Sequence, residues 1–146
     1  MNFVIDASVA LSWCFEDEGD EYAVEVLRSL RSSEAVAASL WPLEVTNGLL
    51  TAERRKRIEP GAAARFARML MALPIVIDPV ARRRAFEVTL PLARRHALTA
   101  YDAAYLEVAL RLGVPIATID GPLQTAAREE GVGVYLSSSR PPDFPT

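Results

Sequence analysis

The sequence is poor in the side chains most used for covalent catalysis. Cys14 is the one cysteine and His96 the one histidine, which excludes an internal disulfide and any zinc site built from several Cys or His ligands of a single chain. A Ser-His-Asp or Cys-His arrangement would have to use His96, yet Arg94-Arg95-His96 reads as the basic last turn of a helix, where a structural histidine is expected. Lysine is equally scarce, with Lys56 alone. Long apolar runs are missing too. Asp6 interrupts the N-terminal MNFVIDAS before an h-region can form, and no later stretch approaches the roughly 20 apolar residues of a membrane span. A cytoplasmic protein is expected.

What the chain does have is enough apolar material for a core. Its 146 residues are 51% hydrophobic and 24% charged, and a chain of this size buries about two-thirds of its extended surface. One domain over residues 1–136 is expected, followed by a Pro- and Ser-rich tail over 137–146 that includes Arg140-Pro141-Pro142-Asp143-Phe144-Pro145. The net charge of -3 argues against a surface that attracts nucleic acid everywhere. Charge is instead segregated: Arg54-Arg55-Lys56-Arg57, Arg82-Arg83-Arg84 and Arg94-Arg95 are basic, while Glu16-Asp17-Glu18 and Asp20-Glu21 are acidic.

Short apolar runs alternate with helical periodicity along the chain. Asn2 to Ile5, Ala35 to Ala38, Ile75 to Asp78, Ile116 to Ile119 and Val132 to Leu136 read as strands. Between them, helices are predicted from Asp20 to about Arg31, from Trp41 to about Arg57, from Pro60 to Leu73, from Val80 to His96 with a kink at Pro91, from Tyr101 to Leu112 and from Pro122 to Glu130. The strands show little period-two patterning, which indicates a parallel sheet covered on both faces, a three-layer α/β domain.

Ligands of open α/β sheets bind beyond the carboxyl ends of the strands. Asp6 ends the first predicted strand and Asp120 the fourth, while Glu44 and Asp102 fall in the first turns of helices that start at the same rim. Each has an ordinary explanation as a helix cap, a turn residue or a dipole partner. Jointly, four acids at one rim repel and shift one another unless a cation neutralises them. A hard divalent ion such as Mg²⁺ or Mn²⁺ suits oxygen ligands, and carboxylates without a catalytic His or Cys favour phosphodiester hydrolysis over acyl transfer.

Taken together, FVIDASV, WPLEVTN, LTAYDAAYLEVA and IATIDGPL resemble the four acidic motifs of PIN-domain nucleases, particularly the VapC toxins of bacterial toxin–antitoxin pairs. The resemblance runs from Asn2 to about Leu136. It implies an α/β/α sandwich with a five-stranded parallel sheet, Mg²⁺- or Mn²⁺-dependent endoribonuclease activity, a homodimer and a cognate VapB-like antitoxin. It also implies that Asp6 and Asp102 are the principal metal-binding acids, Glu44 the helix glutamate and Asp120 the fourth acid, with Ser8, Asn47 and Thr118 in accessory polar positions. Asn47 follows Glu44 by three residues on one helical face, and Ser8 and Thr118 each stand two residues from an aspartate, so they can orient carboxylates or water. The expected reaction is in-line attack of a metal-activated water on an RNA phosphodiester, with Arg54, Arg55, Lys56 and Arg57 as candidate RNA-backbone contacts.

A phosphoacceptor signalling domain shares the doubly wound sheet and an acidic pocket, but it needs a lysine late in the chain, and here only Lys56 is available. A catalytically silent binding module of the same fold is the other alternative, against which the presence of all four acids argues. A DNA structure-specific nuclease generally carries extra DNA-gripping elements, for which this chain is too short.

Overall fold

The computed structural model describes residues 2–15 and 20–137. The acidic run Glu16-Asp17-Glu18 and the predicted tail beyond Ser137 lie outside the described residues. Strands β1 (Phe3–Ile5) and β2 (Ala35–Ala38) are made only of apolar residues, and every one is buried, as in strands covered on both faces. They pair in parallel, Phe3 opposite Ala35 and Val4 opposite Val36. Strand β3 (Ile75–Asp78) extends the sheet beyond β2, and β4 (Ile116–Ala117) pairs on the other side of β1, all in parallel. The order is β3-β2-β1-β4, so the connection reverses direction at β1, the place where such sheets open a crevice.

The sheet differs from expectation in its fifth member. Among the described residues it has four strands, and the segment predicted from Val132 to Leu136 contributes one parallel bridge, Ile116 to Val134. Two hydrogen bonds hold it, from the Ile116 N–H to the Gly133 carbonyl and from the Tyr135 N–H to the Ile116 carbonyl. The ladder stops there because β4 has only two residues to offer and because Leu136 turns into the left-handed region at φ 55. Tyr135 is nevertheless anchored, stacked on Phe3 at 3.8 Å between ring centroids.

Helix α1 (Ala7–Cys14) follows β1 directly, and α2 (Glu21–Ser29), α3 (Trp41–Arg54), α4 (Pro60–Ala72), α7 (Ala100–Leu112) and α8 (Gly121–Glu129) follow the apolar spacing seen in the sequence, ending a few residues earlier at α2 and α3 than the periodicity suggests. The region predicted to kink at Pro91 divides into α5 (Arg82–Arg84), a π-helical turn (Ala85–Thr89) and α6 (Leu90–His96). Pro91 has no N–H for a carbonyl four residues back, and the chain widens just ahead of it, the Leu90 N–H reaching the Ala85 carbonyl.

Helix α7 lies against β1, β2 and β4 and buries Ala103, Tyr105, Leu106, Glu107, Val108 and Ala109. The charge of Glu107, fully buried, is met by Arg84 and by Arg111, whose Nη2 also donates to Asp78 at 2.6 Å. His96 is structural: Nδ1 lies 3.0 Å from Glu129 and Nε2 2.6 Å from Glu130, which ties the end of α6 to the end of α8. Among the described residues no helix is long and apolar enough to cross a membrane.

Candidate active site

The four acids come from four different elements, and local chain chemistry fixes three of those starts. Asp6 follows β1 and caps α1, its Oδ1 accepting the Val9 N–H at 3.1 Å. Asp120 follows β4 and caps α8, its Oδ2 accepting the Leu123 N–H at 2.9 Å. Thr99 caps α7 by accepting the Asp102 N–H at 3.1 Å, which places Asp102 in the first turn. Glu44 stands in the first turn of α3, a helix entered through Pro42. Capping and a place at the rim therefore coexist: the bonds that start α1, α7 and α8 also fix where Asp6, Asp102 and Asp120 stand.

Helix α3 is held close to α1 by a missing side chain. A Cβ on Gly48, one turn beyond Glu44, would lie 2.5 Å from Cδ1 of Leu11. The absence of that Cβ brings the Glu44 helix against the helix that Asp6 caps.

Asp6 forms the floor. It is 3% exposed, and both carboxylate oxygens are in use: the Ser8 hydroxyl donates to Oδ1 at 2.7 Å and the Thr118 hydroxyl donates to Oδ2. Its backbone is pinned as well, the Asp6 N–H reaching the Ala117 carbonyl and the Trp41 indole donating to the Asp6 carbonyl at 3.1 Å. Burial pushes its carboxyl up from 3.8 to about 6, against the pull of Thr118, Ser8 and Val9 and with a further push from Asp102. Thr118 is fully buried and joins two of the acids, since its hydroxyl oxygen also accepts the Asp120 N–H at 3.0 Å. Ser8 makes a similar bridge, accepting the Ile119 N–H at 3.3 Å.

Glu44 and Asp102 are half-buried walls. Desolvation raises both carboxyls; Asp102 adds to the rise at Glu44, and Asp120 adds to the rise at Asp102. Asp102 thus feels or exerts repulsion at each of the other three acids. The donor set fits a hard divalent cation: oxygen alone, on desolvated and mutually repelling carboxylates that positive charge would relieve. Among the described residues no group of three or more His, Cys, Asp or Glu side chains is spaced to hold a metal ion as it stands.

Of the accessory positions, Ser8 and Thr118 bind Asp6 directly, whereas Asn47 is exposed on α3 and among the described residues no hydrogen bond links it to an acid. The basic run Arg54 to Arg57 is exposed at the far end of α3. Arg54 stands ten residues beyond Glu44, roughly 15 Å along the axis, so this run flanks the rim rather than lining it. The Arg57 guanidinium lies 4.2 Å over the Phe15 ring. Sequence reasoning missed Tyr105, whose hydroxyl donates to Glu44 Oε1 at 2.7 Å. The available signal was its position three residues after Asp102, on the same helical face. It also missed Gln124, whose amide donates to the Thr118 carbonyl at 2.9 Å.

The family model described as PIN domain matches residues 3–129. No curated protein sequence matches the chain. Among solved structures, PAE2754 from Pyrobaculum aerophilum superimposes with a TM-score of 0.69 at 21% identity, over 86% of this chain and 84% of that one. FitAcB from Neisseria gonorrhoeae gives 0.61 at 17% identity, over 90% and 95%. VapC20 of Mycobacterium tuberculosis, described as a sarcin-ricin loop cleaving toxin, gives 0.60 at 17% identity, over 86% and 95%. At these identities the likeness is one of fold.

Proposed function

Because the chain belongs to the PIN-domain family, we propose that it is a Mg²⁺- or Mn²⁺-dependent endoribonuclease and the toxin of a toxin–antitoxin pair. The observation that carries the reading is the gathering of Asp6, Glu44, Asp102 and Asp120 at the carboxyl rim of a parallel sheet, coupled electrostatically through Asp102. Its partners on this reading are RNA, a VapB-like antitoxin and a second copy of the chain. VapC20 is itself described as a sarcin-ricin loop cleaving toxin, and a cleaving activity comes to this chain only as part of the proposal.

Asp6 and Asp102 are the residues to hold the cation, the first from the floor and the second from the wall. Glu44 and Asp120 each commit one oxygen inside the protein, to Tyr105 and to the Leu123 N–H, which leaves the other to contact the cation or to orient water. When bound, such an ion supplies a more acidic water and neutralises charge on the phosphate. The chain's own part is geometric. Ser8 and Thr118 fix the floor carboxylate, so that an attacking water and the phosphorus are met by acids in set positions. The acids also make the rim repel a polyanion until a cation is present. Arg54 to Arg57 supply backbone affinity beyond the scissile position.

The purified protein should cut single-stranded RNA in Mg²⁺ or Mn²⁺, stop in EDTA and leave DNA of matched sequence intact. Cleavage that persists in EDTA, or that prefers DNA, would sink the proposal. Mapping RNA ends after induction in a bacterial host then identifies the transcript and the cleaved sequence.

A further inference from the structure

Tyr105 carries one polar atom in a place where packing alone does not call for it. Its side chain is 1% exposed, and its hydroxyl donates at 2.7 Å to Oε1 of Glu44. Phenylalanine would fill the same buried space, so the hydroxyl is the part of this residue that needs a reason. We propose that Tyr105 is a positioning residue of the acidic rim: its hydroxyl holds one oxygen of Glu44 and so presents the other to the cation. This role rests on the nuclease reading above.

Two observations support it. Asp102 and Tyr105 lie three residues apart on α7, one helical face carrying both the central acid and the donor that restrains its neighbour. Second, Glu44 is half-exposed on a flexible side chain and is repelled by Asp102. Without the Tyr105 bond its carboxylate is free to swing toward solvent, away from the acid with which it must share a cation.

Tyr105→Phe tests this with the ring retained. Mg²⁺ affinity, read by titration calorimetry on the full chain, should weaken by about 10- to 100-fold, the usual effect of losing a hydrogen bond behind a metal ligand. Cleavage should fall at low Mg²⁺ and recover at high Mg²⁺, while KM for RNA stays at the parent value. In a Glu44→Ala background the same substitution should weaken Mg²⁺ binding no further, which a general packing defect would not reproduce. Parent-like Mg²⁺ affinity in Tyr105→Phe, or an undiminished effect in the Glu44→Ala background, would overturn the assignment while leaving the nuclease reading standing. A parent protein that neither binds Mg²⁺ nor cleaves RNA would remove that reading and this role with it.

Discussion

Replacing Asp6 by Asn should make the metal-free protein more stable at neutral pH, although Asp6 sits at the heart of the site. The folded state raises this carboxyl from 3.8 to about 6, chiefly by burial, a shift of about two units at ~1.4 kcal/mol each. Holding the charge at pH 7.5 therefore costs about 3 kcal/mol relative to the unfolded chain. That figure is already net of the Ser8, Thr118 and Val9 bonds to the charged form; the amide of Asn can keep the Val9 cap, but its Nδ2 cannot accept the Thr118 hydroxyl, a loss of roughly 1–2 kcal/mol. A net gain of about 1–2 kcal/mol is left, and at about 2–4 °C per kcal/mol it should raise Tm by about 3–6 °C. Between about pH 4 and pH 6 the folded parent binds more protons than the unfolded chain, so its stability falls as pH rises through that window. The Asn variant lacks this slope. Thermal melts in EDTA at pH 4 and pH 7.5 should show the variant's advantage at the higher pH and none at the lower. A variant less stable than the parent at pH 7.5, or a gap independent of pH, would refute the claim that Asp6 is held charged at a cost.

Other consequences are open to simple measurement. Mg²⁺ or Mn²⁺ should raise the parent's Tm in a concentration-dependent way, by about 2.7 kcal/mol of stability at a hundredfold excess over Kd, and should do so far less in Asp6→Asn; an unchanged Tm at saturating metal would count against a rim that binds it. Reversing Arg54 and Arg55 to Glu should raise KM for RNA and flatten its salt dependence while kcat holds, whereas unchanged kinetics would free that run for another role. Glu107→Ala strips the buried partner of Arg84 and Arg111. Because both arginines keep access to water, the expected cost is about 2–3 kcal/mol rather than the full value of a buried pair. Chemical denaturation would measure it, and a variant as stable as the parent would show that the network is neutral.

The parts of this molecule legible in the sequence were those governed by local rules. Residues Phe3–Ile5 and Ala35–Ala38 read as strands because nothing but apolar side chains survives burial on both faces. Asp6 and Asp120 were legible as candidates because ligands of such sheets bind beyond the strand ends, even though the same residues also cap α1 and α8. The fifth strand was over-read: Val132 to Leu136 has strand composition, but pairing depends on a partner, and β4 offers only Ile116 and Ala117. Tyr105 escaped notice for a related reason. In an apolar helical stripe it looks like core, and only the crossing of α3 and α7 brings Glu44 to its hydroxyl. The distance between the basic run and the acids, by contrast, was legible, because the sequence already reads as one helix from Trp41 through the basic run, and α3 does run unbroken from Trp41 to Arg54.

The most direct test removes the acid to which the others are coupled. Purified parent and Asp102→Asn proteins, shown by circular dichroism to be folded alike, are incubated with end-labelled single-stranded RNA in Mg²⁺ and in EDTA. Cleavage should appear only for the parent in Mg²⁺, with the variant slower by at least about 100-fold; equal turnover by the two proteins would contradict the acidic rim as the catalytic site.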